Sequence, residues 1–198
     1  MEEMTFTILL LGDSCSGKTK LIKKFIDDKF EANNSTIGVE CQDKRIKIND
    51  QVIKLHILDS AGQERYRSIS KNFIRNGDGI IFVFNLANEE SFRSIKDWLI
   101  ECDEVNENCQ KILVGNQIDF NDKKVNIDRA MKFSEKFNMK YFEVNSMDGT
   151  NVELIFREMA ELILSSKPAA VKRILLKTEK VVKKQNRFTK KSKQTSDH

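Results

Sequence analysis

The fold is decided by residues 12–19, Gly12-Asp13-Ser14-Cys15-Ser16-Gly17-Lys18-Thr19. They match the pattern G-x-x-x-x-G-K-[S/T], in which a glycine-rich loop and the helix after it surround a polyphosphate with N–H donors. We therefore predict that residues 14–19 bind the phosphates of a nucleotide. Within this pattern Lys18 reaches the β- and γ-phosphates, and Thr19 offers its hydroxyl to Mg²⁺.

The segments on either side of this loop have the pattern that its chemistry requires. Residues 5–11 (TFTILLL) are mostly apolar, which is typical of a buried parallel strand. Residues 18–30 place apolar side chains at positions 21, 22, 25 and 26, the spacing of an amphipathic helix. The order strand, loop, helix is the context in which the motif cradles phosphate.

Apolar runs and helical patterns alternate along the rest of the chain. Residues 41–48 and 52–58 flank Asn49-Asp50-Gln51 and are expected to form an antiparallel hairpin. Further strands are predicted at residues 80–84, 112–114 and 141–144, and helices at 89–105, 128–137 and 152–164. This alternation predicts an α/β fold with six strands, mostly parallel with one antiparallel strand, and helices on both faces.

Composition sets limits on where such a chain works. Hydrophobic residues make up 39% and charged residues 32% of the sequence, and no apolar stretch approaches the roughly 20 residues of a membrane span. The acidic start at residues 1–4 (MEEM) lacks the features of a secretory signal, so we expect a cytoplasmic protein. Four cysteines without metal-ligand spacing are expected to be free thiols: Cys15, Cys41, Cys102 and Cys109.

The charge of the chain is unevenly distributed. From Ser165 onward there are 11 Lys and Arg residues against 2 acidic ones. We predict a folded domain over residues 1–166 and a basic extension over residues 167–198, partly helical or disordered. Each Lys or Arg near an anionic membrane contributes about 1 kcal/mol, so a peripheral membrane contact is one interpretation. The others are an acidic protein, a solvated linker and, favoured least, nucleic acid.

Several further stretches resemble the motifs of one protein family. Residues 59–64 (DSAGQE) are similar to the DTAGQE segment of Ras-superfamily small GTPases, with Ser60 in place of Thr. Residues 35–40 (STIGVE) and 65–69 (RYRSI) resemble segments at and beside the switches of the Rab branch. Residues 116–119 (NQID) are similar to the family's base-recognition motif. The resemblance runs from about Thr5 to Ser165 and implies a P-loop small G domain.

The resemblance also implies roles for individual residues with GTP or GDP and Mg²⁺ bound. Gln63 would orient the attacking water, and Gly62 would donate its N–H to the γ-phosphate. The metal ion would be held by Thr19, Thr36 and Asp59. The base would be contacted by Phe30, Asn116, Gln117, Asp119, Asn145, Ser146 and Met147.

Some positions of the nucleotide site depart from the family pattern. Gln117 stands where the family has a Lys that covers the guanine face, and residues 145–147 read NSM where the family has SAK. Phe30 lies six positions before Thr36, where the family usually has seven. We expect Asp119 to preserve guanine specificity while affinity falls.

Two other regions depart as well. A trio of surface aromatics that reports nucleotide state in Rab proteins is matched here by Cys41, Leu58 and Phe73. No cysteine follows Cys109, so no prenyl anchor is expected in this chain.

The resemblance implies a switch that binds GTP, hydrolyses it slowly and regulates vesicle trafficking. Its expected partners are exchange proteins, GTPase-activating proteins and effectors that bind the switch loops. The departures leave a second hypothesis open, a Rab-like scaffold that binds nucleotide weakly or does not hydrolyse it. Such a scaffold would act through its surfaces and its basic tail.

Overall fold

A computed structural model describes residues 4–27, 39–60, 67–117 and 123–167 of the chain. The strands in these ranges are β1 (Met4–Leu11), β2 (Val39–Ile48), β3 (Gln51–Ser60), β4 (Gly79–Asn85), β5 (Gln110–Gln117) and β6 (Lys140–Asn145). The helices are α1 (Lys18–Asp27), α2 (Arg67–Asn76), α3 (Glu89–Arg93), α4 (Ile95–Asn106), α5 (Ile127–Lys136) and α6 (Val152–Ser166).

The strands form one sheet in the order β2-β3-β1-β4-β5-β6. Only β2 pairs antiparallel, with β3, while the other neighbouring strands pair parallel. Because β1 lies between β3 and β4, the chain reverses its direction of travel across the sheet at this strand. Such a switch point is where open α/β sheets bind ligands, beyond the carboxyl ends of the strands. The predicted fold class is confirmed.

Each face of the sheet carries its own hydrophobic core. On one face, β1 contributes Phe6, Ile8 and Leu10 to a cluster with α1 and α6. On the other face, Leu9 and Leu11 join residues of α2, α3, α4 and α5. Successive side chains of a strand point to opposite faces, so a strand covered on both faces reads as one continuous apolar run. This burial explains the apolar segment before the phosphate loop.

The structure differs from the predicted elements in three places. The hairpin turn contains only Asn49 and Asp50, with φ of 46° and 68°, and Gln51 already belongs to β3. Positive φ at both turn positions is the geometry that matches the twist of paired strands, and Asn and Asp tolerate it. The predicted helix over residues 89–105 is divided at Ser94 into α3 and α4. Helix α2, with few apolar residues, was not predicted.

The remaining predictions meet the structure only in part. Helix α1 is described to Asp27, and α6 ends at Ser166. Residues 28–38, 61–66, 118–122 and the extension from residue 168 lie outside the described residues, and so do the predictions that fall on them. No helix of the described residues has the length and apolar character to cross a membrane. All four cysteines are free.

Candidate functional site

The phosphate loop connects the buried end of β1 to the first turn of α1. Gly12 has a φ of 144°, and a Cβ built there would lie 2.0 Å from the carbonyl oxygen of Val83 in β4. Gly17 and Cys15 also have positive φ, 87° and 61°. A residue with a side chain at position 12 would meet both backbone strain and a steric clash, so glycine is required there.

Lys18 is held by the backbone of its own loop. Its Nζ donates to the carbonyl oxygens of Gly12, at 2.8 Å, and Asp13, at 2.9 Å. The side chain is buried, and this burial lowers the pKa of Lys18 to about 8, although Asp59 and Asp13 act in the opposite direction. An ammonium group has three N–H donors. Two carbonyls therefore leave one donor for an anion such as a phosphate oxygen.

Thr19 and Asp59 bring two oxygen ligands together beside Lys18. Asp59 lies near the carboxyl end of β3, where it pairs in register with Leu10 of β1. The Thr19 hydroxyl donates a hydrogen bond to Oδ2 of Asp59, and the Asp59 side chain is buried. Hydroxyl and carboxylate oxygens are the ligands that Mg²⁺ prefers. This donor set fits a magnesium ion, and Thr19 and Asp59 are the described residues that would hold it.

Ser16 presents a second feature suited to an anion. Its hydroxyl is buried and has no hydrogen-bond partner among the described residues. A buried hydroxyl without a partner costs about 1–3 kcal/mol, a cost that a bound ligand removes. Because Ser16 belongs to the phosphate loop, a phosphate group fits this position. The loop therefore offers an unsatisfied hydroxyl next to an oriented ammonium.

Asn116, at the carboxyl end of β5, joins the phosphate loop to the segment after β6. The side chain is fully buried. Its Nδ2 donates to the carbonyl oxygen of Ser16 at 3.0 Å, and its Oδ1 accepts from the N–H of Ser146 at 3.3 Å. The structure therefore gives Asn116 a bracing function between two predicted binding segments. Recognition of guanine by this residue remains a prediction.

The segment after β6 is also built on local hydrogen bonds. Gln117 accepts, through its carbonyl oxygen, from the N–H of Ser146 at 3.2 Å and from the Ser146 hydroxyl at 3.4 Å. Asn145 Oδ1 accepts from the N–H of Met147 at 2.8 Å. Side-chain oxygens that accept from the backbone two residues later fix tight turns. The predicted base-contacting residues 145–147 therefore lie in a defined turn next to β5.

Sequence reasoning missed one contact of the phosphate loop. Trp98 of α4 donates through its indole Nε1 to Oδ1 of Asp13, at 2.9 Å. The Trp98 side chain is 1% exposed, and a buried indole N–H normally needs an acceptor. The single tryptophan of the chain indicated that its indole N–H would need a hydrogen-bond acceptor. Its position in the sequence did not reveal which residue would provide it.

The predicted site residues gather at one edge of the sheet where they are described. The described members lie at the strand ends or following loops of β1, β3, β5 and β6 and in the first turn of α1: Ser14, Cys15, Ser16, Gly17, Lys18, Thr19, Asp59, Asn116, Gln117, Asn145, Ser146 and Met147. The other predicted members lie outside the described residues: Phe30, Thr36, Gly62, Gln63 and Asp119.

Comparison with known proteins agrees with this geometry. A family model described as Ras family matches residues 7–165. The chain belongs to the Ras family. It is 40% identical over 158 residues to Ras-related protein Rab-1D of Dictyostelium discoideum, with 78% of each chain covered. It is 38% identical over 170 residues to Ras-related protein RABD2a of Arabidopsis thaliana, covering 83% of this chain and 84% of the relative.

Membership places the site in a known functional class. The relatives identify the chain as a Rab-family small GTPase, which is an enzyme that hydrolyses GTP and a GTP-binding switch in vesicle trafficking. Rab GTPases bind guanine nucleotides, activating proteins, exchange proteins and effectors. The edge formed by the phosphate loop, Asp59 and Asn116 is therefore the candidate nucleotide site.

Proposed function

We propose that this GTPase works with Mg²⁺ and hydrolyses GTP slowly, with Gln63 orienting the attacking water. The observation that carries the proposal is the contact between the Thr19 hydroxyl and the Asp59 carboxylate beside the buried ammonium of Lys18. These groups provide a cation, a metal-binding pair and N–H donors at one end of the sheet. They are the parts from which phosphoryl-transfer sites are assembled.

The protein residues would divide the work on GTP among themselves. Lys18 and the loop N–H groups would bind the phosphates, and Thr19, Thr36 and Asp59 would hold the metal ion. Bound Mg²⁺ supplies positive charge that neutralises the developing charge on the phosphate oxygens. Gln63 would hold a water molecule in line with the γ-phosphorus. Hydrolysis by the chain alone would be slow, because in such enzymes a partner protein supplies an arginine that accelerates the reaction by about 10³–10⁵.

The switch would depend on contacts made only to the γ-phosphate. Thr36 and Gly62 would contact this group in the GTP state and lose the contact once it is hydrolysed. The surface that effectors read would change with them, and exchange and activating proteins would act on the same loops. We propose that the membrane-trafficking partners of this chain bind the loops that contain Thr36 and Gly62.

Base recognition would rest mainly on Asp119, whose carboxylate would accept from guanine N–H groups. Both polar groups of the Asn116 side chain are engaged within the protein, so this residue would hold the phosphate loop and the segment after β6 in place. Phe30, Gln117 and the turn at residues 145–147 would contact the base and sugar. With Gln117 in place of the family's Lys, we expect guanine affinity to be lower than in related GTPases.

The same proposal extends to the organisation of the chain. Residues 1–166 would form the GTPase domain, and residues 167–198 a basic extension that contacts anionic membrane surfaces from the cytoplasm. Lys167, at the domain end, is fixed by an ion pair between its Nζ and Oδ1 of Asp78 at 2.8 Å. The extension would therefore leave the domain from a defined point on the α6 side of the sheet.

Single-turnover hydrolysis tests the catalytic part of this proposal. The full chain, preloaded with GTP, should release phosphate slowly in Mg²⁺, and the Gln63→Leu variant should do so at least tenfold more slowly. Retention of GDP by both proteins is the control for intact nucleotide binding. Equal rates for the two proteins would contradict the assignment of Gln63.

A further inference from the structure

The outer face of the β2–β3 hairpin carries three side chains of metal-binding type. Asp43 of β2 pairs directly with His56 of β3, and Cys41 pairs with Leu58. Residues two apart on a strand point to the same face, and cross-strand partners share that face. Cys41, Asp43 and His56 therefore point the same way, and Cys41 and Asp43 are exposed while His56 is partly so.

The donor atoms of these side chains are already close together. Cys41 Sγ lies 3.2 Å from Nδ1 and 3.3 Å from Nε2 of the His56 ring. Oδ1 of Asp43 lies 2.7 Å from His56 Nδ1. One donor atom from each residue falls within 4.8 Å of the others, which among the described residues happens nowhere else for three such side chains. The cluster lies outside the nucleotide site.

The combination of donors selects a class of metal ion. A thiolate, an imidazole and a carboxylate together suit Zn²⁺, whereas Mg²⁺ and Ca²⁺ prefer oxygen ligands alone. With Zn–S near 2.3 Å and Zn–N near 2.0–2.1 Å, tetrahedral geometry separates sulfur from nitrogen by about 3.5 Å. The present separations, 3.2 Å and 3.3 Å, are within a few tenths of an ångström of that value. The 2.7 Å between Asp43 Oδ1 and His56 Nδ1 would have to open further, by about 0.7 Å, to reach tetrahedral geometry. The exposed side chains of Cys41 and Asp43 can open by these amounts.

We propose that Cys41, Asp43 and His56 form a zinc-binding site on the β2–β3 hairpin, with a fourth position open to solvent or to a ligand from a partner. The sheet fixes the backbone of all three ligands before the ion binds. The ion would take the place of the hydrogen bond between Asp43 and His56, and binding would release the thiol proton of Cys41.

Lys54 supports this arrangement and limits its affinity. Its Nζ lies 2.8 Å from Oδ2 of Asp43, so one carboxylate oxygen is held in place while the other points at His56. Partners that hold a ligand's remaining atoms orient it for the metal. The positive charge of Lys54 also repels a cation, so the site is suited to reversible binding.

A reactive cysteine is the competing interpretation of the same cluster. Activated cysteines have a thiol pKa below the ordinary value, usually because of a nearby positive charge. Partial shielding of the sulfur from water and the carboxylate of Asp43 instead raise the pKa of the Cys41 thiol. This environment argues against a reactive thiolate at position 41. Because a metal ion also binds the thiolate, the case for a metal rests on the convergence of the three donor atoms.

Cobalt binding, read by absorption spectroscopy, tests the site directly. The probe is Co²⁺ added to the full chain, loaded with Mg²⁺ and GDP, without an affinity tag and in a reductant that contains no thiol. We expect one ion per chain, a tetrahedral cobalt spectrum with a thiolate charge-transfer band, and displacement by Zn²⁺. A spectrum without the thiolate band, or no uptake, would overturn the proposal.

Substitutions assign the ligands. Cys41→Ser should remove the thiolate band, and His56→Gln and Asp43→Asn should each weaken cobalt binding at least tenfold. The matched control is Asp50→Asn, which changes an exposed carboxylate of the same hairpin, paired with Lys47 at 3.0 Å, and should leave binding unchanged. Retention of GDP verifies that each variant is folded. If Cys41→Ser keeps the band, or Asp50→Asn weakens binding as much as Asp43→Asn, the assignment is wrong.

Discussion

Asp13, in the phosphate loop, forms a hydrogen bond that the loop motif alone does not predict. Its carboxylate accepts from the indole N–H of Trp98, 85 positions away in the chain. A hydrogen bond to a charged group contributes about 1.5–3 kcal/mol, and an indole N–H left buried without an acceptor costs a similar amount. The bond therefore fixes the start of the phosphate loop against α4.

Trp98→Phe removes this donor while it keeps an aromatic ring in the core. A loss of about 1.4 kcal/mol corresponds to a tenfold change, and we expect GDP to dissociate roughly tenfold faster. The measurement is the release of a fluorescent GDP analogue. In the Asp13→Ala background the same substitution should add little, because the bond is already absent. Fully additive effects of the two substitutions would mean that the bond is not coupled to nucleotide binding.

Individual site residues were predictable where their chemical function requires a recognisable local sequence pattern. The phosphate loop was identified because its fixed spacing follows directly from wrapping a phosphate group. Asp59 was identified through the resemblance of residues 59–64 to a segment of Ras-superfamily GTPases. The bond between Asp13 and Trp98 was missed because it depends on how α4 packs on the sheet, which no local pattern encodes. The same reason hid the cluster of Cys41 and His56, whose separation along the chain has no metal-ligand spacing.

At the level of elements, the strand β1, the phosphate loop and helix α1 form a unit that depends on one backbone conformation. Gly12 ends β1 against the carbonyl oxygen of Val83, with no room for a Cβ. Close packing in protein interiors leaves little capacity to absorb such a contact. The position of the loop is thus set by the pairing of β1 with β4.

Gly12→Ala should destabilise the protein by about 3 kcal/mol, because it adds overpacking to a strained φ. In a domain of this size this corresponds to a fall in Tm of about 6–12 °C. The matched control is Gly77→Ala, where the added Cβ would meet its nearest neighbour at 3.4 Å. Thermal unfolding of the GDP-bound proteins measures both. Equal Tm values for the two variants would contradict the steric argument.

Elements were predictable in proportion to their apolar content. The central strands were found because burial on both faces requires continuous apolar runs. Helix α2 was missed because its sequence, RSISKNFIRN, contains few apolar residues, and buried Ile74 provides much of its attachment. The division at Ser94 was missed because Glu89–Asn106 keeps a helical apolar pattern across it. Tertiary packing decided the case of α2.

On the scale of the whole molecule, charge is divided along the sequence: the residues before Ser165 include fewer basic than acidic ones, and the residues from Ser165 onward are strongly basic. Before Ser165 the chain has 23 Lys and Arg residues (34 − 11) against 28 acidic ones (30 − 2). Attraction to an anionic surface would therefore come from the extension, and it would be screened by salt because the charges are exposed to solvent. This division of charge predicts a reversible membrane contact.

The full chain should bind vesicles that contain phosphatidylserine, and binding should weaken as salt rises. Vesicles of phosphatidylcholine alone are the control and should not bind. Deletion of residues 172–193 should abolish binding because it removes most of the basic extension. Cosedimentation measures all three cases. Undiminished binding by the deletion variant would show that another surface makes the contact.

Nucleotide titration of the intact chain tests the central claim, that this edge of the sheet is a guanine-nucleotide site supported by Mg²⁺. Nucleotide-free protein is titrated with GTP, GDP and ATP, in Mg²⁺ and again in EDTA. We predict micromolar or tighter binding of GTP and GDP, at least a hundredfold preference over ATP, and weaker binding in EDTA. Equal affinity for ATP, or no binding of guanine nucleotides, would contradict it and favour a scaffold that works without nucleotide.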